Sequence, residues 1–72
     1  MQSDILTRFG KAVRRIRTEQ GISQEKLADL CGLHRTYISD VELGKRNISL
    51  ENIERISLSL NRTLPDFFKE VI

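Results

Sequence analysis

The sequence contains no tryptophan, one proline, one cysteine, one tyrosine and three phenylalanines. A single cysteine, Cys31, cannot form an intramolecular disulfide, which excludes the class of small disulfide-stabilised secreted domains. No apolar run approaches the ~18 residues that a membrane-spanning helix needs, and no basic stretch followed by an apolar one indicates a signal peptide. These absences predict a cytoplasmic protein without a membrane partner.

Side chains that catalyse reactions or bind metals are also scarce. His34 is the only histidine, and together with Cys31, three residues earlier, it supplies too few ligands for a zinc site. The chain has no glycine-rich phosphate loop and no activated nucleophile, while Glu51 and Glu54, on one helical face, are typical of surface carboxylates. The sequence therefore predicts no enzymatic activity, no metal and no cofactor, and it indicates no small-molecule ligand.

Charge and helical patterning are what the sequence does contain. Charged residues make up 31% of the chain, yet the net charge is only +2, and the basic surplus lies in residues 1–20. Composition alone is therefore a weak argument for nucleic acid as a partner, and geometry has to supply the rest. At 72 residues the chain has room for one domain, residues 1–72, with a modest core that dimerisation would enlarge.

Two short apolar repeats with a break between them lie within residues 23–43. Their spacing predicts one helix that begins after Ser23 and a second that ends near Leu43. Between them Gly32 is suited to the left-handed conformation that often ends a helix. The residues that would face inward are Leu27, Ala28, Cys31, Ile38 and Val41. A helix, a short turn with glycine and a second helix form the pattern of a helix-turn-helix unit.

The other apolar residues predict three further helices. The first covers residues 5–19, with Ser3 or Asp4 as its N-cap. The fourth begins at Ser49 and the fifth at Thr63, because each hydroxyl can accept from an amide of the first turn. The predicted inward residues of the fourth helix are Leu50, Ile53, Ile56 and Leu60. The chain is therefore predicted to be all-α.

Three short runs carry a family resemblance: Ser23-Gln24-Glu25-Lys26-Leu27-Ala28, Arg35-Thr36-Tyr37-Ile38-Ser39 and Glu42-Leu43-Gly44. They resemble the Cro/C1-type (XRE-like) helix-turn-helix family, and the second run is more narrowly similar to the controller proteins of restriction-modification systems. The resemblance implies a compact, five-helix, lambda-repressor-like DNA-binding domain. It also implies a structural ion pair between Arg17 in the first helix and Glu42 at the end of the third.

The side of the third helix that faces away from the core carries the side chains that could contact DNA bases. With about 100° per residue, the side opposite Ile38 and Val41 carries Thr36, Ser39, Asp40 and Leu43, with Arg35 beside them. Arg35 has the planar fork that fits guanine, and Asp40, although repelled by phosphates, can accept from cytosine N4. We predict base contacts by Arg35, Thr36, Ser39 and Asp40.

A second set of polar residues is suited to the DNA backbone. Gln24 stands in the first turn of the second helix, where anions are favoured, and the family resemblance favours phosphate contact over a plain helical glutamine. Tyr37 could place its ring against the core and its hydroxyl on a phosphate, or it could be a half-buried core tyrosine. The loop after the third helix adds Arg46 and Asn47 as phosphate or minor-groove residues.

The C-terminal part of the chain carries more apolar side chains than one small core can bury. A two-fold interface would use such a surplus, although one ring and the chain end could instead fray. We predict a dimerisation surface within residues 58–72, formed by Leu58, Phe68, Val71 and Ile72.

These features predict a sequence-specific transcriptional regulator that binds double-stranded DNA as a homodimer. Its operator would be near-palindromic, with half-sites about one helical turn apart. The controller-protein resemblance implies both repression and activation, and activation would add RNA polymerase as a partner. The alternative is an antitoxin-like module that uses the same fold to bind another protein. In that case Arg35 and Thr36 would be dispensable.

Overall fold

The computed structural model describes residues 4–72, which form five α-helices and no strand. The helices are α1 (Asp4–Glu19), α2 (Gln24–Cys31), α3 (Arg35–Glu42), α4 (Leu50–Ser59) and α5 (Leu64–Val71). The predicted all-α, five-helix architecture is confirmed over this range. Asp4 is the first residue of α1, while the alternative cap, Ser3, lies outside the described residues.

The helix boundaries follow from local hydrogen bonds. Ser23, Ser49 and Thr63 are N-caps, and each side-chain oxygen accepts from the backbone N–H three residues later, at 3.0, 3.2 and 3.3 Å. Gly32 ends α2 with φ of +71°, a conformation that costs a residue with Cβ more than it costs glycine. The predicted start of the helix-turn-helix unit and its central turn are therefore confirmed.

The core lies between α1, the unit formed by α2 and α3, and the C-terminal helices α4 and α5. α1 packs against α3 and α5, while α2 packs against α3 and α4. The rings of Phe9 and Phe67 lie 5.2 Å apart, and Phe68 lies 6.0 Å from Phe9. The other buried apolar residues are Ala12, Val13, Ile16, Leu27, Ala28, Cys31, Ile38, Val41, Ile56, Leu60 and Val71.

Two predicted positions are wrong. Leu50 was expected to face inward, but it is 84% exposed, because it is the first residue of α4 and its Cβ points back beyond the helix end. Val71 was expected at a dimer surface, but it is only 4% exposed and packs in the core. It lies one helical turn after Phe67, on the same buried face of α5.

Candidate nucleic-acid interface

The third helix presents a polar surface on the side away from the core. Ile38 and Val41 are buried and fix the inner side of α3, so the opposite side faces outward. Arg35 and Thr36 are exposed there, and the remaining predicted base-contact residues, Ser39 and Asp40, are half-buried. Leu43 follows at the C-cap of α3 and is also exposed. The structure thus brings all four predicted base-contact residues onto one helix at its accessible side.

A buried ion pair fixes the orientation of α3. Arg17 Nε donates to Glu42 Oε2 at 2.6 Å and Arg17 Nη2 donates to Oε1 at 3.0 Å, while Nη1 donates to the Ile22 carbonyl at 2.9 Å. Both side chains are buried, and the bidentate geometry satisfies both carboxylate oxygens. The predicted structural ion pair is therefore confirmed, and it joins the end of α1 to the end of α3.

Gln24 is part of the same network, which the sequence did not indicate. Its Nε2 donates to Glu42 Oε1 at 3.0 Å, so the carboxylate links the first turn of α2 to α1 and α3. An amide nitrogen carries two N–H groups, and one of them is used here. The bond to Glu42 orients the amide without consuming its whole donor capacity.

Tyr37, Asp40, Arg46 and Asn52 form a second polar cluster, beside α3. The Asn52 amide donates to the Tyr37 hydroxyl at 3.0 Å, and the Arg46 guanidinium lies 4.6 Å from the centroid of the Tyr37 ring. Arg46 Nη2 also lies 3.5 Å from Asp40 Oδ2. Tyr37 is half-buried and uses its hydroxyl oxygen as an acceptor here, so its O–H can still donate. Sequence reasoning missed Asn52, because a contact between residues 15 positions apart leaves no periodic signal.

The loop between α3 and α4 carries the last predicted backbone-contact residue, Asn47. This residue is exposed, and it lines a shallow cavity of about 220 Å³ together with Ile48 of the same loop and residues of α1, α4 and α5. Asn47 therefore lines this cavity, whereas its neighbour in sequence, Arg46, contacts Tyr37 and Asp40.

An apolar surface lies around the contact of α4 with α5. Leu50, Ile53, Leu64 and Phe68 line a cavity of about 270 Å³, whose lining is completed by Glu51 and Glu54. The neighbouring cavity of about 220 Å³ shares Ile53 and Phe68 with it. We call these four apolar residues the apolar face. Of the predicted interface residues, Phe68 belongs to this face, and Leu58 and Ile72 are exposed. Leu50 and Leu64 were not predicted at the surface. They are the first residues of α4 and α5, and periodicity does not show whether another helix covers the first turn.

Glu70 of α5 forms partly exposed ion pairs with Arg62, which precedes α5, and with Arg15 of α1. Arg62 Nε lies 3.1 Å from Glu70 Oε2, and Arg15 Nη2 lies 3.2 Å from Oε1. The hydrogen bond from Arg62, together with that from Arg15, lowers the pKa of the Glu70 carboxyl. The carboxylate therefore stays charged over a wider acidic range in the folded chain than it would in the unfolded chain.

The described part of the chain offers little for metal or thiol chemistry. No group of three or more potential metal ligands occurs within residues 4–72. Burial raises the pKa of the Cys31 thiol, whose Sγ lies 3.5 Å from Ser59 Oγ. None of the five helices is both long enough and apolar enough to span a membrane.

The second helix of the helix-turn-helix unit is held by a buried ion pair and presents arginine and hydroxyl side chains outward. This is the arrangement of a DNA-binding protein of the helix-turn-helix class. A family model described as Helix-turn-helix matches residues 13–67. Control protein C.BamHI of Bacillus amyloliquefaciens is 57% identical over 61 residues, which cover 83% of this chain and 75% of that protein. Control protein C.MunI of Mycoplasma sp is 44% identical over 70 residues, covering 96% and 95%.

Solved structures agree with these relatives. The restriction-modification controller protein C.AhdI from Aeromonas hydrophila has a TM-score of 0.84 at 44% identity and covers 88% of this chain and 96% of its own. Controller protein C.Esp1396I, as a tetramer in complex with its natural 35 base-pair operator, has a TM-score of 0.91 at 34% identity, covering 97% and 92%. The chain therefore belongs to the Cro/C1-type helix-turn-helix family, among its restriction-modification control proteins. The resemblance to the Cro/C1-type family and the narrower resemblance to restriction-modification controller proteins are both confirmed.

Proposed function

We propose that the protein is a homodimeric transcription regulator that binds a near-palindromic operator in double-stranded DNA. The observation that carries this proposal is the exposed polar side of α3, held from behind by Ile38, Val41 and the Arg17–Glu42 pair. Its control-protein relatives, one of them solved on its operator, support the same function. An operator in a bacterial cell would place the protein in the cytoplasm, and this role requires no catalysis.

We assign reading of the bases to Arg35, Thr36, Ser39 and Asp40. The Arg35 guanidinium can donate two hydrogen bonds to O6 and N7 of guanine, and the Thr36 methyl can contact thymine. Gln24, Tyr37, Arg46 and Asn47 would contact phosphates or the minor groove, so they would set the register of the helix on the duplex.

Replacing Arg35 by alanine is expected to relax the preference at one base position in each half-site by about 1–3 kcal/mol. The measurement is fluorescence anisotropy with a duplex selected by the wild-type protein and with variants changed at single positions. Arg55→Ala is the matched control, because it removes an exposed arginine from α4 and should affect all duplexes equally.

An equal loss for Arg35→Ala on every duplex would contradict its role in reading bases. Unchanged binding would instead favour the protein-binding module, in which the outer side of α3 is dispensable. The control-protein relatives favour the regulator. If the regulator activates transcription, RNA polymerase is its second macromolecular partner.

We place the dimer contact at the apolar face, extended by Leu58 and Ile72. Ile72 is 86% exposed, Leu58 is 60% exposed and Leu50 is 84% exposed. Leu50 lines one of the shallow cavities. Exposed apolar side chains on one part of a small domain are typical of surfaces that bind another protein, and a second copy with the same surface can close a two-fold contact.

Leu50→Glu and Ile72→Glu are each expected to raise the dimer dissociation constant, because either change would bury a charge in the contact. A weakening of roughly 10- to 100-fold corresponds to about 1–3 kcal/mol. Both positions are exposed, so the monomer should fold as before. Sedimentation velocity over a range of protein concentrations measures the effect, with Leu30→Glu as the control on α2, where Leu30 is half exposed. Unchanged dimerisation of both variants would exclude this face as the interface.

A further inference from the structure

Arg46 is held by two side chains that lie one helical turn apart on α3. Its guanidinium carbon lies over the Tyr37 ring, 4.6 Å from the ring centroid, and its Nη2 lies 3.5 Å from a carboxylate oxygen of Asp40. Asn52 bonds the Tyr37 hydroxyl from α4 and thereby fixes the ring. Arg46 therefore has a stable apolar support and one anionic partner.

The two contacts differ in how easily they are broken. The contact with Asp40 is a single long ion pair, and the side chains of Arg46 and Asp40 are 46% and 35% exposed. Exposed pairs of this kind change an equilibrium by at most about fivefold. The cation–π contact with Tyr37 depends on the position of the charge over the ring, and it requires no oxygen acceptor for the guanidinium N–H groups. Arg46 can thus exchange Asp40 for a phosphate without leaving the ring.

Such an exchange has a consequence for Asp40, which lies on the same side of the protein that faces DNA. Once Arg46 has moved to a phosphate, the carboxylate is unpaired in a strongly negative environment. On an arbitrary duplex this is unfavourable, because phosphates repel the carboxylate. A duplex with a cytosine amino group at this position offers a donor that Asp40 can accept from.

We propose that Asp40 is a specificity-determining residue that acts through Arg46. In the free protein Asp40 takes the place of a phosphate and retains Arg46. On DNA it releases Arg46 to the backbone only where the duplex supplies a base donor to its carboxylate. The inference rests on the proposed function, and it makes a backbone contact conditional on base sequence.

The test is a thermodynamic cycle of Asp40→Asn, Arg46→Ala and the double variant. Asparagine keeps the shape of Asp40 and a carbonyl that can accept from cytosine, but it cannot form an ion pair with Arg46. Anisotropy titrations use a duplex selected by the wild-type protein and a random-sequence duplex of the same length, at several salt concentrations. Asp66→Asn is the matched control, since Asp66 is exposed on α5, which packs against α1 and α4.

For Asp40→Asn we expect binding to the random duplex to tighten roughly 3- to 10-fold, consistent with releasing one weak ion pair per protomer. Binding to the selected duplex should change little, so the ratio between the two duplexes falls. The slope of log affinity against log salt on the random duplex should steepen by about 0.9 per protomer, because Arg46 then neutralises one more phosphate. In the Arg46→Ala background the gain should be at least threefold smaller.

Other outcomes overturn the proposal in different ways. An equal gain in both backgrounds would show that Asp40 acts on DNA directly. Weaker binding by Asp40→Asn would show that Asp40 positions Arg46 for DNA rather than competing for it. A wild-type protein that does not distinguish the two duplexes would overturn the proposed function and this inference together. Circular dichroism melts of each variant check that the fold is retained.

Discussion

Replacing Glu42 by alanine is expected to lower the free energy of unfolding by about 3–5 kcal/mol, a large part of the stability of a domain this small. The change leaves the guanidinium of Arg17, a residue that is only 9% exposed, without its countercharge. It also removes the acceptor of the Gln24 amide. Urea titration followed by circular dichroism measures the loss.

Two comparison variants separate this effect from a general sensitivity to lost charges. Glu70→Ala also breaks contacts with two arginines, but these pairs are partly exposed, and such pairs contribute about 0–1 kcal/mol. Arg17→Met combined with Glu42→Leu should recover most of the stability, because neither charge is then left unpaired. A loss for Glu42→Ala as small as that for Glu70→Ala would contradict the burial of the pair.

Gly10→Ala is expected to destabilise the fold by about 3 kcal/mol or more, the upper range for an overpacked core. Alanine is normally the better helix residue by up to about 1 kcal/mol, so the sign here is reversed. A Cβ on Gly10 would lie 2.7 Å from the Glu42 carbonyl oxygen and would collide with the Val41 carbonyl oxygen as well. Both atoms belong to the backbone of α3, so no side-chain rotation relieves the clash.

The melting temperature is the simplest measurement of this effect. For a domain of this size 1 kcal/mol corresponds to roughly 4–8 °C, so a fall of roughly 12–24 °C is expected. Lys11→Ala, at the exposed neighbouring position of α1, controls for any change in helix propensity. A melting temperature that rises for Gly10→Ala would show that α1 and α3 are farther apart than described.

Local chemistry made much of the fold predictable. Serine and threonine N-caps and the glycine at the end of α2 act within a few residues. The apolar spacing of α1, α2 and α3 matches their buried sides, except at Ile5 in the first turn of α1, which is 42% exposed. Leu50 was placed wrongly, because the spacing gives the face of a helix but does not show that the Cβ of its first residue points back beyond the helix end. The requirement for glycine at position 10 was not predictable, since only the close approach of the α3 backbone shows why a side chain is excluded there.

The residues of the candidate site on α3 were predictable from the sequence, but the hydrogen bonds that join them to other helices were not. The outward direction of α3 follows from Ile38 and Val41, which place Arg35 and Thr36 at the surface. The bond between Gln24 and Glu42 and the bond between Asn52 and Tyr37 depend on how separate helices meet. Those contacts cannot be predicted from the pattern of residue types along the chain.

The position of Glu42, where contacts from α1 and α2 converge on the last residue of α3, has an evolutionary consequence. Tilting α3 to suit a different DNA sequence would require simultaneous changes in three helices. Descendants of this scaffold would therefore diversify their targets by exchanging outward side chains while the helix axis is inherited unchanged.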